Sequence, residues 1–239
     1  MAILLLRLAG PMQSWGTQSR FSHRDTDLEP SKSGVIGLLC AAMGIPRDDL
    51  KTIENLAKLK MGIRVDRQGI IKKDFHTAGG WHLKKDSGYG VITANSNDKR
   101  TVTSDRFYLS DACFLVALLG ELSLLREIQE SLTNPVWQIY MGRKAFVPGL
   151  PVFLKDGLLS DCDNLKSALL NYPYLLKDTP EKLRLEIEMD FGKGNRVKQD
   201  QPVSFISASR RFGLRYVEAG EVPLKNLLPA KEESCIYLS

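Results

Sequence analysis

RFYLSDACFLVALLG, Arg106 to Gly120, runs straight into ELSLLREIQESL, Glu121 to Leu132, and the fold turns on how this stretch is read. The first part is a continuous apolar run of strand length, which marks a buried strand. The second places Leu122, Leu125, Ile128 and Leu132 on one face of a helix, and Pro135 stops it. Working backwards, Ile3 to Leu8 reads as another buried strand. A long loop rich in Gly, Ser, Thr and Pro follows it, and loops of that length are commonly functional or disordered. SKSGVIGLLCAAMG then opens an apolar helix with Ser31 or Ser33 as N-cap; Gly44 closes it and Pro46 prevents extension. A second helix is expected from Asp49 to Leu59, and MGIRV returns to strand. The order strand, helix, strand, arm, strand, helix predicts an α+β fold. Its core is of the RRM or ferredoxin type, with helices on one face of an antiparallel sheet.

The arm is the segment at about 82–106, HLKKDSGYGVITANSNDKRTVTSDR. Aliphatics are sparse there, charges of both signs mix, and NSND signals a turn. A protruding hairpin and a disordered surface loop fit this composition equally. Further on, DNLKSALLN reads as a short helix. KLRLEIEMD alternates Leu183, Leu185, Ile187 and Met189 with charges, as a half-buried strand does, and SASRRFGLRYVEAGEV is a second strand. No linker separates the parts. Residues 1–150 are expected to form the core with its arm, and residues 151–239 a β-rich C-terminal part packed on it.

The net charge of +5 and pI near 9.0 permit an RNA, DNA or acidic partner without selecting one. No apolar run approaches a membrane span, and the start AILLLRL has neither the basic flank nor the cleavage site of a signal peptide. Cys40, Cys113, Cys162 and Cys235 show no zinc spacing, and the apolar or helix-like contexts of three of them suit a reducing cytoplasm. His23, His76 and His82 show no metal spacing either, and no phosphate loop, dinucleotide fingerprint or nucleophile elbow occurs. No metal or cofactor is expected. The remaining catalytic option is metal-free RNA cleavage by His76, Tyr140 and Lys144 as base, acid and cation, against which a lone His in FHTAGG is more often structural.

NPVWQIYMGRKAFVPG, Asn134 to Gly149, sets Gly142-Arg143-Lys144 among Trp137, Tyr140 and Phe146. An exposed cation pair beside flat rings suits a phosphate with a base stacked next to it; a solvated turn accounts for the same residues. Cations recur at element ends (Arg20, Arg24, Lys32, Arg106, Arg143, Lys144, Arg210, Arg211), with Trp15, Phe21, Trp81, Tyr140 and Phe212 near them. Single-stranded RNA is bound by such pairs. The turn KSGVIG would aim helix N–H groups at a phosphate. Trp81 as a core residue and Arg210-Arg211 as a solvated strand end are the plainer readings.

LLLRLAGPMQSWGTQSRF, PSKSGVIGLLCAAMGIPRDD, FHTAGG, YLSDACFLVALLG and NPVWQIYMGRKAFVPG occur in the order found in the CasD family, which the chain resembles over most of residues 3–150 and more loosely at QPVSFISASRRFGLRYV. The resemblance implies the type I-E Cascade subunit that holds the 5′ handle of CRISPR RNA: an RRM-like core, a β-hairpin thumb and a β-rich C-terminal part. It implies docking to a CasC-family backbone subunit and a CasA-family large subunit, with target DNA met through the assembled complex, and no catalytic residue. It carries Trp15, Lys32, Ser33, Gly142, Arg143 and Lys144 over as handle-side residues, to which the residue reading adds His76, Arg106 and Tyr140. On this view Gly142 lets the backbone approach RNA, Arg143 and Lys144 hold phosphates, and Tyr140 or Trp137 backs the turn. A metal-independent repeat endoribonuclease and a protein–protein adaptor are the alternatives. Replacing Lys84 to Arg100 by a short Gly/Ser turn is expected to leave a folded chain that fails to join the backbone subunit.

Overall fold

β1 (Ala2–Gln13) is apolar from Ala2 to Leu6 because both faces of its sheet are covered. Leu4, Leu6 and Leu8 enter one core, and Ile3 and Leu5 enter another. Successive side chains of a strand point to opposite faces, so a doubly covered strand needs an unbroken apolar run. In this computed structural model residues 1–19, 22–79, 91–93, 96–177 and 181–223 are described, with the backbone alone for 92–93 and 96–100. After β1 come β2 (His23–Arg24), α1 (Lys32–Met43), α2 (Leu50–Ala57), β3 (Lys60–Arg67), β4 (Ile70–Ala78), β5 (Val91–Thr93), β6 (Ser96–Arg100), β7 (Val102–Gly120) and α3 (Leu122–Thr133). β8 (Phe153–Leu159), α4 (Leu165–Asn171), β9 (Lys182–Glu188), β10 (Arg196–Ser204) and β11 (Arg211–Pro223) complete the described chain.

The main path of the large sheet runs β10-β11-β9-β3-β7-β1-β8. Its stretch β3-β7-β1-β8 is antiparallel throughout, with α1 and α2 between β1 and β3 in sequence and α3 between β7 and β8. That is the ferredoxin-like order, so the expected α+β class and RRM-like core hold. The fourth strand, β8, falls past the boundary expected at residue 150. The C-terminal strands extend the same sheet, because β9 pairs with β3. β8 and β10 were missed from sequence. Both carry Lys and Asp through the strand and lack a clean alternation of apolar and polar residues.

The first core lies under α1, α2 and α3, where Ile53 and Leu56 are buried and Leu125, Ile128 and Leu132 bury as their spacing predicted. Ser31, not Ser33, caps α1, accepting from the Gly34 N–H, and Gly44 ends the helix in the left-handed region. Helices were expected on one face only; the second face is covered too. α4 and residues Tyr174–Leu176 pack there on Ile3, Leu5, Leu115 and Leu185. A single buried guanidinium pins this cover. Arg64 on β3 pairs with Asp66 at 2.6 Å and donates to the carbonyls of Leu169, Tyr172 and Pro173, while Asp66 accepts from the Leu175 N–H. Burial pushes the Asp66 carboxyl up and Arg64 opposes it. With both faces covered among the described residues, the β3-β7-β1 centre of the sheet offers nucleic acid no open surface.

The arm also begins earlier than its sequence suggested. β4 pairs with β7 from Ile70↔Ser110 to Ala78↔Val102, so residues 102–106 are strand and the ribbon starts at Ile70. The β4 side chains from Ile70 to Thr77, Ile71 and Phe75 among them, are exposed. Residues 80–90 and 94–95, with Trp81, His82, Lys84 and Lys85, lie outside the described residues, as do Arg20, Phe21 and Cys235.

Candidate nucleic-acid interface

The segment 134–149 is laid along α1 and β1 by backbone bonds. The Val136 and Trp137 N–H groups donate to the carbonyls of Ala42 and Ala41, Ser14 N–H to Met141 and Gly149 N–H to Ala9. A tight turn, Phe146 N–H to Arg143 O, lifts Lys144 into solvent. Gly142 has φ +90°, and a Cβ there would be driven into the Ser14 carbonyl oxygen. Only glycine accepts both conditions. The close approach that needs Gly142 is therefore to the loop after β1.

These contacts open a groove of about 510 Å³. Its walls are Ser14–Gly16, the α1 face bearing Ser31, Ser33, Gly34, Gly37 and Ala41, and Trp137, Gln138, Tyr140, Gly142 and Lys144. Phe205 and Arg210 from the β10–β11 connection and Phe212 from the start of β11 line it too, as do Pro46 and Arg47. Trp137 is 49% exposed. Lys144, Arg47 and Arg210 are exposed, and among the described lining residues no carboxylate or histidine opposes them. The one lining thiol, Cys40, is pushed up to about 12 by burial and is inert as an acid.

Of the expected site residues, Trp15, Ser33, Tyr140, Gly142 and Lys144 meet at this groove. Two of the roles carried over change. Trp15 is 1% exposed, its indole N–H donates to Gln13 Oε1 at 3.1 Å, and its ring edge abuts Gly34, so it supports α1 and offers no face for a base. Lys32 is also 1% exposed. Its ammonium sits 2.8 Å from Glu188, and its backbone N–H donates to Asp200. The α1 N-terminus, expected to face a phosphate, is met by a protein carboxylate. Trp137, expected to back the turn, stands at the groove surface.

Arg143 parts company with Lys144. It is half-buried, donates to the Phe107 carbonyl at 2.8 Å, and stacks 5.2 Å from the Phe146 ring centre. Burial, then the neighbouring Arg106 guanidinium, lowers its pKa, with Arg24 adding to the effect. Arg24, Arg106 and Arg143 thus gather at the base of the β4–β7 ribbon, beside His23 stacked on Phe107. His76 lies elsewhere: it is exposed on β4 opposite Ser104 and does not line the groove. Arg47, Gln138, Trp137 as a wall, and Phe205 were not singled out as contacts, and only the basic or aromatic character of IPRDD and SFISASRR hinted at two of them.

A family model described as CRISPR-associated protein (Cas_Cas5) matches residues 3–218. The chain belongs to this Cas5 family. The Cas5 chain is 32% identical over 181 residues to the CRISPR system Cascade subunit CasD of Escherichia coli (strain K12), across 71% of this chain and 76% of CasD. A crystal structure of a Cas protein superposes with a TM-score of 0.74 at 41% identity, over 96% of this chain and 98% of that one. A chain of a CRISPR RNA-guided surveillance complex superposes with a TM-score of 0.76 at 36% identity, over 97% and 95%. The resemblance to the CasD family read from five sequence blocks is borne out. Among the described residues no helix is long and apolar enough to cross a membrane, and no cluster of His, Cys, Asp and Glu is placed to hold a metal.

Proposed function

We propose that this Cas5 chain is an RNA-binding subunit of a CRISPR RNA-guided surveillance complex, and that its groove holds the 5′ handle of CRISPR RNA. The observation that carries the reading is the sign of the groove: Arg47, Lys144 and Arg210 line it beside Trp137, Tyr140 and Phe212, with no carboxylate among the described lining residues. Cations neutralise phosphates and aromatic rings stack bases, and this pairing is how single strands are held without an open sheet face. The strand leaves the groove past Lys144 toward Arg24, Arg106 and Arg143, whose three guanidinium groups outnumber the neighbouring carboxylates of Asp74 and Asp25. The β4–β7 ribbon, with exposed Ile70, Ile71 and Phe75, is the surface offered to the CasC-family backbone subunit. The CasA-family large subunit and target DNA are met in the assembled complex.

The test is binding of a labelled RNA carrying the handle sequence, measured across a salt series. Lys144→Ala/Arg210→Ala is expected to weaken binding and to flatten the slope of log affinity against log salt by about 0.7 for each phosphate no longer neutralised. An unchanged slope with an intact fold contradicts the groove assignment. The same reactions run in EDTA address the endoribonuclease alternative: cleavage abolished by His76→Ala or Lys144→Ala would replace the binding reading with a catalytic one.

A further inference from the structure

The groove has one wall that the rest of the fold does not hold by continuous backbone. Phe205 and Arg210 sit on the connection between β10 and β11, and Phe212 stands at the start of β11 opposite Pro202 of β10, the edge strand of the sheet. Facing them is α1, whose first turn contains no acidic residue of its own. Asp200 on β10 supplies the missing charge from across the chain. Its Oδ2 accepts from the Lys32 N–H at 2.8 Å and from Arg215 Nη2 at 2.7 Å, and its Oδ1 accepts from Arg215 Nε at 2.9 Å. A carboxylate at a helix N-terminus satisfies an unpaired N–H and complements the helix dipole. The Lys32 ammonium completes the tie by reaching Glu188 on β9 at 2.8 Å. Asp200 is fully buried and Arg215 is 3% exposed, so these bonds are shielded from water and salt.

We infer that Asp200 and Lys32 form a latch that sets the spacing between α1 and the β10–β11 wall, and so act as positioning residues for RNA bound in the groove. This rests on the groove reading. It assigns Lys32 a part in binding without contact with the ligand, since its side chain is sealed from the surface. Loosening the latch moves Phe212 away from the opposite wall, so a base held between the walls loses its stack, while the long, exposed side chains of Lys144, Arg47 and Arg210 still reach phosphate.

The experiment uses the full chain, free and in the assembled complex, with labelled RNA carrying the handle sequence. Asp200→Asn keeps the size of the side chain and one acceptor; Lys32→Met keeps the length and packing of the lysine. Each is expected to weaken binding by about tenfold or more, the value of one base stack expressed as affinity, with the salt slope unchanged. In a Phe212→Ala/Arg210→Ala background, Asp200→Asn is expected to have little further effect, because residues that act through one another are not additive. A merely structural role gives additive losses in that cycle and overturns the latch. A flattened slope for Lys32→Met overturns it as well, since Lys32 would then touch phosphate. If Phe212→Ala/Arg210→Ala itself leaves binding unchanged, the groove reading fails first and the latch with it. Should Lys32→Met prove unfolded by circular dichroism, the Asp200→Asn cycle alone decides.

Discussion

Arg64→Ala is expected to cost about 3–5 kcal/mol, because it strands a buried charge. Asp66 would keep its carboxylate at 0% exposure with no cation, and the carbonyls of Leu169, Tyr172 and Pro173 would each lose a donor. A domain of ordinary stability holds about 5–15 kcal/mol in total, so much of the margin goes with one side chain. The loss should begin locally: α4 and residues Tyr174–Leu176 detach from the second face of the sheet and expose Ile3, Leu5 and Leu115. Urea denaturation gives the total, and hydrogen exchange shows whether α4 and its neighbours lose protection before the α1–α3 side does. Arg64→Met/Asp66→Leu is expected to recover only part of the loss, since the freed carbonyls and the Leu175 N–H stay unsatisfied. A shift under about 1 kcal/mol for Arg64→Ala would mean that the pair is no stronger than a surface ion pair and that the cover is held by apolar contact alone.

Gly142→Ala is the substitution expected to damage the interface most for the least change in chemistry. A non-glycine residue held at positive φ costs about 1–3 kcal/mol, and here the added Cβ also meets the Ser14 carbonyl. The segment 141–146 must therefore move off the loop after β1, breaking the Ser14 N–H to Met141 bond and displacing Lys144 and Tyr140 together. RNA affinity is expected to fall at least as far as it does for Lys144→Ala, and the denaturation midpoint falls as well, because the buried Met141 and Phe146 side chains lie on the segment that must move. Binding equal to that of the parent chain would show that the groove tolerates a displaced loop and that Lys144 finds phosphate from more than one position.

The two substitutions draw on different levels of information. The ferredoxin-like order was legible in the residues, because apolar runs and helical spacing report burial directly. Ile3 to Leu8, Leu125, Ile128 and Leu132 could hardly do anything else. The resemblance to the CasD family was legible too, as five ordered blocks. The direction of individual polar side chains was not. Lys32 and Arg143 look like free cations in the chain, yet one is sealed against Glu188 and the other ties a loop to Phe107.

Most of the elements, their periods and the family of the chain are written in its residues, since propensity and periodicity are local properties. The destinations of the charges are settled only in three dimensions. α1 has no acid in its first turn and α4 no base in its last. Asp200 and Arg64, each more than a hundred residues away in sequence, supply them through space. A helix end must satisfy its open N–H and C=O groups, but any part of the chain that arrives there with the right charge will do. That choice is set by how the strands assemble, with β9 paired to β3 and carrying β11 and β10 beyond it, and no local pattern in the chain encodes it.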